Sequence, residues 1–140
     1  MQISRELYSE ILHSTENPPP ESGGILGGYN GKVTVFVSDK GRSFNADYKY
    51  EPDIVFLNEV IDEWLRNNIE FMGIYHSHPK NHEKMSVADL EYINKIMRSV
   101  KGYADRLYFP LVIPKEKIIC FYALIVADEI QIFHDAIQLK

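Results

Sequence analysis

One cysteine among 140 residues, Cys120, excludes an internal disulfide, and with it the small disulfide-framed secreted folds. We therefore expect a reducing, cytoplasmic setting. The flanking residues Ile118, Ile119 and Phe121 predict a buried and unreactive thiol. Long apolar runs are also missing: none approaches the roughly 18 residues that a membrane helix needs, and Met1-Gln2-Ile3-Ser4-Arg5-Glu6 has no apolar signal core. No membrane partner is expected. Basic residues are in deficit, 15 Lys and Arg against 20 Asp and Glu, for a net charge of -5. That balance argues against binding to phosphate backbones, so nucleic acid is not an expected partner. There is no internal repeat, and the only biased stretch is Pro18-Pro19-Pro20, too short for a linker. What remains is ordinary globular material, 45% apolar and 25% charged, in a length that suits one domain over residues 1–140.

Ile3, Leu7, Ile11 and Leu12 fall at helical spacing, and Asn17 with the prolines must end that helix. Glu21 to Gly28 and Lys32 to Val37, joined through Tyr29-Asn30-Gly31, predict a hairpin. Asp53 to Asn67 sets Ile54, Leu57, Ile61, Trp64 and Leu65 on one helical face. Phe71 to His78 is expected as a strand ended by Pro79, and a second long helix begins at Ser86 and runs to about Val100. Leu107 to Ile113, Ile118 to Val126 and Ile130 to Phe133 predict three closing strands. The order α-β-β-α-β-α-β-β-β describes an α/β or α+β domain with a mixed sheet flanked by helices.

The chemistry concentrates in His76-Ser77-His78-Pro79, a six-residue loop from Lys80 to Met85, and Ser86-Val87-Ala88-Asp89. Residues two apart on a strand face the same way, so His76 and His78 direct two imidazoles at one point. Asp89 stands at the third position of a helix capped by Ser86, and helical side chains lean back toward the N-terminus. Two His and one Asp give the three protein ligands of a zinc site that keeps a position open. Each pair also has a plainer account. A lone His-x-His serves as a polar strand edge, and Ser-x-x-Asp is a capping box.

Taken together, the segment resembles the signature of the JAMM metalloprotease family, the MPN-plus domain: an upstream Glu, then His-x-His-Pro, six residues and Ser-x-x-Asp. Glu21-Ser22-Gly23-Gly24-Ile25-Leu26-Gly27-Gly28 resembles the family's Glu-led strand as well. The resemblance extends over nearly the whole chain and implies a cytidine-deaminase-like MPN fold as a minimal catalytic domain. It implies that His76, His78 and Asp89 bind zinc, that Glu21 is general base and acid, and that Ser86 hydrogen-bonds the oxyanion. Two positions depart from the pattern. Met85 stands where Pro is frequent, which we expect to loosen the loop, and Gly23 stands where many bacterial relatives carry Cys.

The activity so implied is a zinc isopeptidase or peptidase acting on the Gly-Gly-type tail of a ubiquitin-like or sulfur-carrier protein. A metal-free MPN scaffold and a RadC-like protein are the alternatives; the five filled positions disfavour the first, and the acidic balance the second. His82 is expected as a solvated loop residue, and His13 and His134 as structural. The glycine pairs at 23–24 and 27–28 lack a phosphate-loop pattern. They suggest close backbone packing or a substrate strand lying alongside.

Overall fold

The computed structural model describes residues 1–41 and 50–140. Its elements in chain order are β1 (Gln2–Ile3), α1 (Arg5–Ser14), β2 (Gly23–Tyr29), β3 (Lys32–Asp39), α2 (Ile54–Arg66), β4 (Glu70–Ser77), α3 (Val87–Ser99), β5 (Arg106–Tyr108), β6 (Leu111–Ile113), β7 (Lys117–Val126), β8 (Glu129–Asp135) and β9 (Gln138–Leu139). The sheet runs β5-β7-β6-β4-β2-β3-β1-β9, with β8 paired to β7. It is mixed: β4 meets β5 and β6 in parallel, whereas β2 is antiparallel to both β3 and β4.

Helix α1 covers one face, burying Ile11 and Leu12 with Leu26, Val33, Tyr75 and Cys120. Helices α2 and α3 cover the other, where Leu57, Trp64, Ile93 and Met97 pack with Ile25, Ile74 and Phe109. Neighbours Ile25 and Leu26 of β2 thus serve opposite cores, as strand alternation requires. A register shift between Leu26 and Gly27 leaves one extra residue in β4. This bulge lets Phe71 and Ile74 share the α2/α3 face, and it sets the phase of the residues that follow Ile74.

Several boundaries differ from the sequence expectation. Ile3 is not helical: it is fully buried in β1, pairing in parallel with Val33 and Leu139. Helix α1 starts only after Ser4, whose hydroxyl accepts from the Leu7 N–H. The stretch Leu107–Ile113 is two strands, because Phe109 and Pro110 interrupt it, and proline has no N–H to give a ladder. On α2, Leu57 and Trp64 are buried while Ile54 and Leu65 are about half exposed, at 49% and 46%. The hairpin turn does follow the sequence: Asn30 and Gly31 both adopt positive φ, 51° and 77°, the two-residue type I′ geometry that Asn-Gly favours.

Candidate metal centre

The end of β4 is gripped from both sides. The His76 N–H donates to the Pro110 carbonyl at 3.2 Å and the His78 N–H to that of Val112 at 3.0 Å, while the Ser77 N–H donates to the Ser22 carbonyl at 2.7 Å. The Ser22 N–H donates back to the Ser77 hydroxyl at 2.9 Å. These bonds turn His76 and His78 toward the α2/α3 side and lay Glu21, the residue before Ser22, beside them. His78 itself lies one residue past the strand, which ends at Ser77.

Helix α3 supplies the acid. Ser86 and Asp89 form a reciprocal capping box: the Asp89 N–H donates to Ser86 Oγ at 3.1 Å, and the Ser86 N–H to Asp89 Oδ2 at 2.8 Å. The cap orients the carboxylate, so that Asp89 Oδ1 lies 3.1 Å from His76 Nε2 and Oδ2 lies 3.0 Å from His78 Nε2. The two Nε2 atoms are 3.0 Å apart. With the carboxylate of Glu21, each residue places one donor atom within 4.8 Å of the others.

This donor set fits a zinc-like ion. Bonds of about 2.0 to 2.1 Å in a tetrahedron place neighbouring ligand atoms roughly 3.3 to 3.4 Å apart, close to the observed 3.0 and 3.1 Å. His78 also has a settled tautomer: its Nδ1 donates to the His82 carbonyl at 2.9 Å, leaving the Nε2 lone pair facing the cluster. Burial works against charge here, raising an acid and lowering an imidazole. The paired groups outweigh it. The two imidazoles, aided by the Ser86 N–H, hold Asp89 well below the usual carboxylate range, and Asp89 with the His82 carbonyl lifts His78 above the ordinary imidazole value.

Two tyrosines that the sequence reading did not single out enclose His76. The Tyr50 ring stacks on it, with centroids 6.3 Å apart and planes 13° from parallel. Tyr92 meets it edge-on at 5.9 Å and 84°. The Tyr50 hydroxyl donates to buried Asp39 at 2.9 Å, and the same Asp39 oxygen accepts the Asp53 N–H at 3.0 Å. The Tyr50 N–H contacts Glu21 Oε1 at 3.4 Å. Burial raises both tyrosine hydroxyls far above the usual phenol value, so they stay protonated. Tyr92 was legible in principle, standing one helical turn after Asp89. Tyr50 carried no local signal.

Glu21, His78, His82, Lys84 and Ser86 help line an open cleft of about 600 Å³. Ser86 accepts the cap bond and keeps its own O–H free to donate. The His82 side chain is exposed and outside the cluster, although its carbonyl orients His78. His13 bonds the Ser9 carbonyl on α1, and His134 packs against Phe121. Cys120 is buried, its thiol pushed up to about 12 by desolvation.

One expectation is corrected. Strand β2 is paired along both edges, so no substrate strand can add to the Gly23–Gly28 segment. Its glycines answer to packing: a Cβ on Gly23 would strike the Tyr75 carbonyl and come within 2.7 Å of the Tyr50 ring. The Met85 side chain packs on the α2/α3 core.

A mixed sheet between helices, with a His-x-His-Pro strand end facing a Ser-x-x-Asp helix start, defines a JAB/MPN-type domain. Residues 4–133 match the family described as prokaryotic homologs of the JAB domain, and the chain belongs to that family. The same fold is seen in the solution structure of a protein from Desulfitobacterium hafniense, with a TM-score of 0.65 and 20% identity over 99% of this chain and 92% of that one. A protein from Salinibacter ruber gives a TM-score of 0.60 and 18% identity over 100% of this chain and 92% of that one. Comparison with curated proteins gives no match.

Proposed function

We propose that this chain is a zinc-dependent isopeptidase or peptidase that cleaves the amide bond after the C-terminal tail of a ubiquitin-like or sulfur-carrier protein. The observation that carries this reading is the convergence of His76, His78, Asp89 and Glu21, with their donor atoms within 4.8 Å, beside an open cleft that Glu21 and His78 line. His76, His78 and Asp89 would hold the ion. When bound, zinc acts as a Lewis acid and lowers the pKa of a coordinated water from about 15.7 to roughly 7. Glu21 takes the proton of the attacking water and returns it to the departing amine. Its tether to the Tyr50 N–H keeps it facing the cleft. Ser86 directs its spare O–H at the oxygen on which negative charge builds, a contribution of about 3 to 4 kcal/mol for one such donor.

The substrate class rests on the family resemblance. The tail enters along the cleft, since β2 offers no free edge. Specificity for the partner's folded body falls to surfaces outside the cluster.

The test presents zinc-loaded protein with a ubiquitin-like protein extended beyond a Gly-Gly tail, and with the same fusion carrying Val-Val. We expect cleavage of the first and little of the second. Equal cleavage would remove the narrow-tail specificity. No cleavage of either, with one zinc per chain verified by elemental analysis, would favour a binding role for the domain. The paired substitution His76→Ala with His78→Ala should abolish zinc retention, and full retention would displace the site.

A further inference from the structure

Among the described residues, two buried side-chain polar atoms lack a hydrogen-bond partner: His76 Nδ1 and the Tyr92 hydroxyl. They belong to rings that pack on each other, with centroids 5.9 Å apart. An unsatisfied buried polar group costs about 1 to 3 kcal/mol, and such groups in folded proteins are ordinarily paired, through ordered water where no protein group reaches. The two orphans therefore stand on contacting rings.

The asymmetry between the two histidines gives this pairing a purpose. A histidine that ligates a metal through one nitrogen almost always donates its other N–H to an outer partner, which fixes tautomer and ring orientation. His78 has that partner in the His82 carbonyl at 2.9 Å. His76, 1% exposed, has none among the described residues. Stacking on Tyr50 restrains the plane of its ring but says nothing about which nitrogen carries the proton.

We infer that Tyr92 is the positioning residue for His76: one ordered water accepts the His76 Nδ1–H and donates to the Tyr92 oxygen, leaving the Nε2 lone pair directed at the metal. This rests on the zinc reading above. Tyr92 and Asp89 are three residues apart on α3, so one helical turn delivers both a ligand and the group that orients another ligand. The arrangement places Tyr92 outside the reaction itself. It touches neither substrate nor ion and acts through His76 alone.

The decisive comparison is wild-type protein against Tyr92→Phe, which keeps the ring and its packing on Phe109. Zinc affinity is measured by competition with a chelator, the His76 tautomer by long-range ¹⁵N–¹H NMR in metal-free and zinc-loaded protein, and folding by melting temperature. The expected result is a zinc affinity reduced about 10- to 100-fold, a faster-exchanging His76 Nδ1–H signal in zinc-loaded protein, and a melting temperature within a few degrees of wild type. Unchanged affinity with an unchanged His76 Nδ1–H signal in the zinc-loaded variant would overturn the inference, whereas failure of wild-type protein to bind zinc would overturn the proposed function instead. Should the variant not fold, the wild-type spectrum decides. A zinc-loaded His76 carrying its proton on Nδ1, with magnetisation transfer to a bound water or to the Tyr92 hydroxyl, supports the link, and the absence of such transfer refutes it.

Discussion

Glu21 shows how narrow the chemical role of a single side chain can be. It is the one member of the cluster that is only partly buried and the one absent from the tight 3.0 to 3.1 Å triad. An amide in its place keeps shape and loses basicity, so Glu21→Gln should leave fold and zinc content intact while lowering turnover about 10²- to 10⁴-fold. Paired zinc analysis and kinetics measure this, and unchanged turnover removes Glu21 from the mechanism. His78 sets the pH response. Its raised folded pKa means that, in metal-free protein, the Asp89 pair stabilises the fold fully below the ordinary imidazole value of about 6.5 and loses that effect as pH climbs through the raised value. Zinc requires the neutral ring. Apparent zinc affinity should therefore fall on acidification, starting above about pH 6.5 and steepening toward tenfold per unit. Competition titrations across that range check it, and a flat profile would show that His78 is not a ligand. At this scale the sequence was most informative. The two histidines, the acid and the serine stood in one short segment, whereas Tyr50 and Asp39 reach the site only through the tertiary fold.

Among the elements, α3 has the heaviest combined duty, because its first turn is both helix start and ligand support. Ser86→Ala deletes a cap worth about 1 kcal/mol by removing the hydroxyl that accepts the Asp89 N–H, while the Ser86 N–H that aims the Asp89 carboxylate remains. We expect a melting temperature lower by several degrees, roughly 3 to 6 for a domain of this size, together with a slower reaction. Ser86→Thr, which keeps the hydroxyl, should restore the cap. A variant with lost rate but unchanged melting would assign Ser86 to the oxyanion alone. The helices and long strands were legible because their periodicity and caps are local. The short strands β1 and β9, of two residues each, were not, since no pattern fits in two residues and each depends on its partner. The break at Phe109-Pro110 was misread for a related reason: apolar content ran through it unbroken, and only the missing proline N–H marks the division.

At the scale of the whole molecule, the candidate metal centre straddles layers: His76 and His78 come from the end of β4, Asp89 from α3, and Glu21 from the chain leading into β2. Binding to the folded state alone stabilises by about 2.7 kcal/mol at a hundredfold excess over Kd. Removing metal with a chelator should thus lower the melting temperature while leaving the circular dichroism of the folded protein largely unchanged. A melting temperature indifferent to zinc would place the ion elsewhere. Sheet order was beyond the sequence, because strand neighbours such as β4 and β2 are set by long-range packing, and the hope of a free β2 edge failed there. No helix of the described residues is long and apolar enough to cross a membrane.

The Ser22–Ser77 clasp joins β2 to β4 in the middle of the sheet, with ladders continuing on either side. In the language of native-state hydrogen exchange, the cluster sits in the unit that opens last, while β8, bonded among the described residues only to β7, belongs to one that opens early. Amides of Ile25 and Ile74 should exchange only with global unfolding, and those of Gln131 and Phe133 much sooner. A protein frayed at that margin would therefore still carry an assembled site, and its metal affinity would outlast the integrity of its rim.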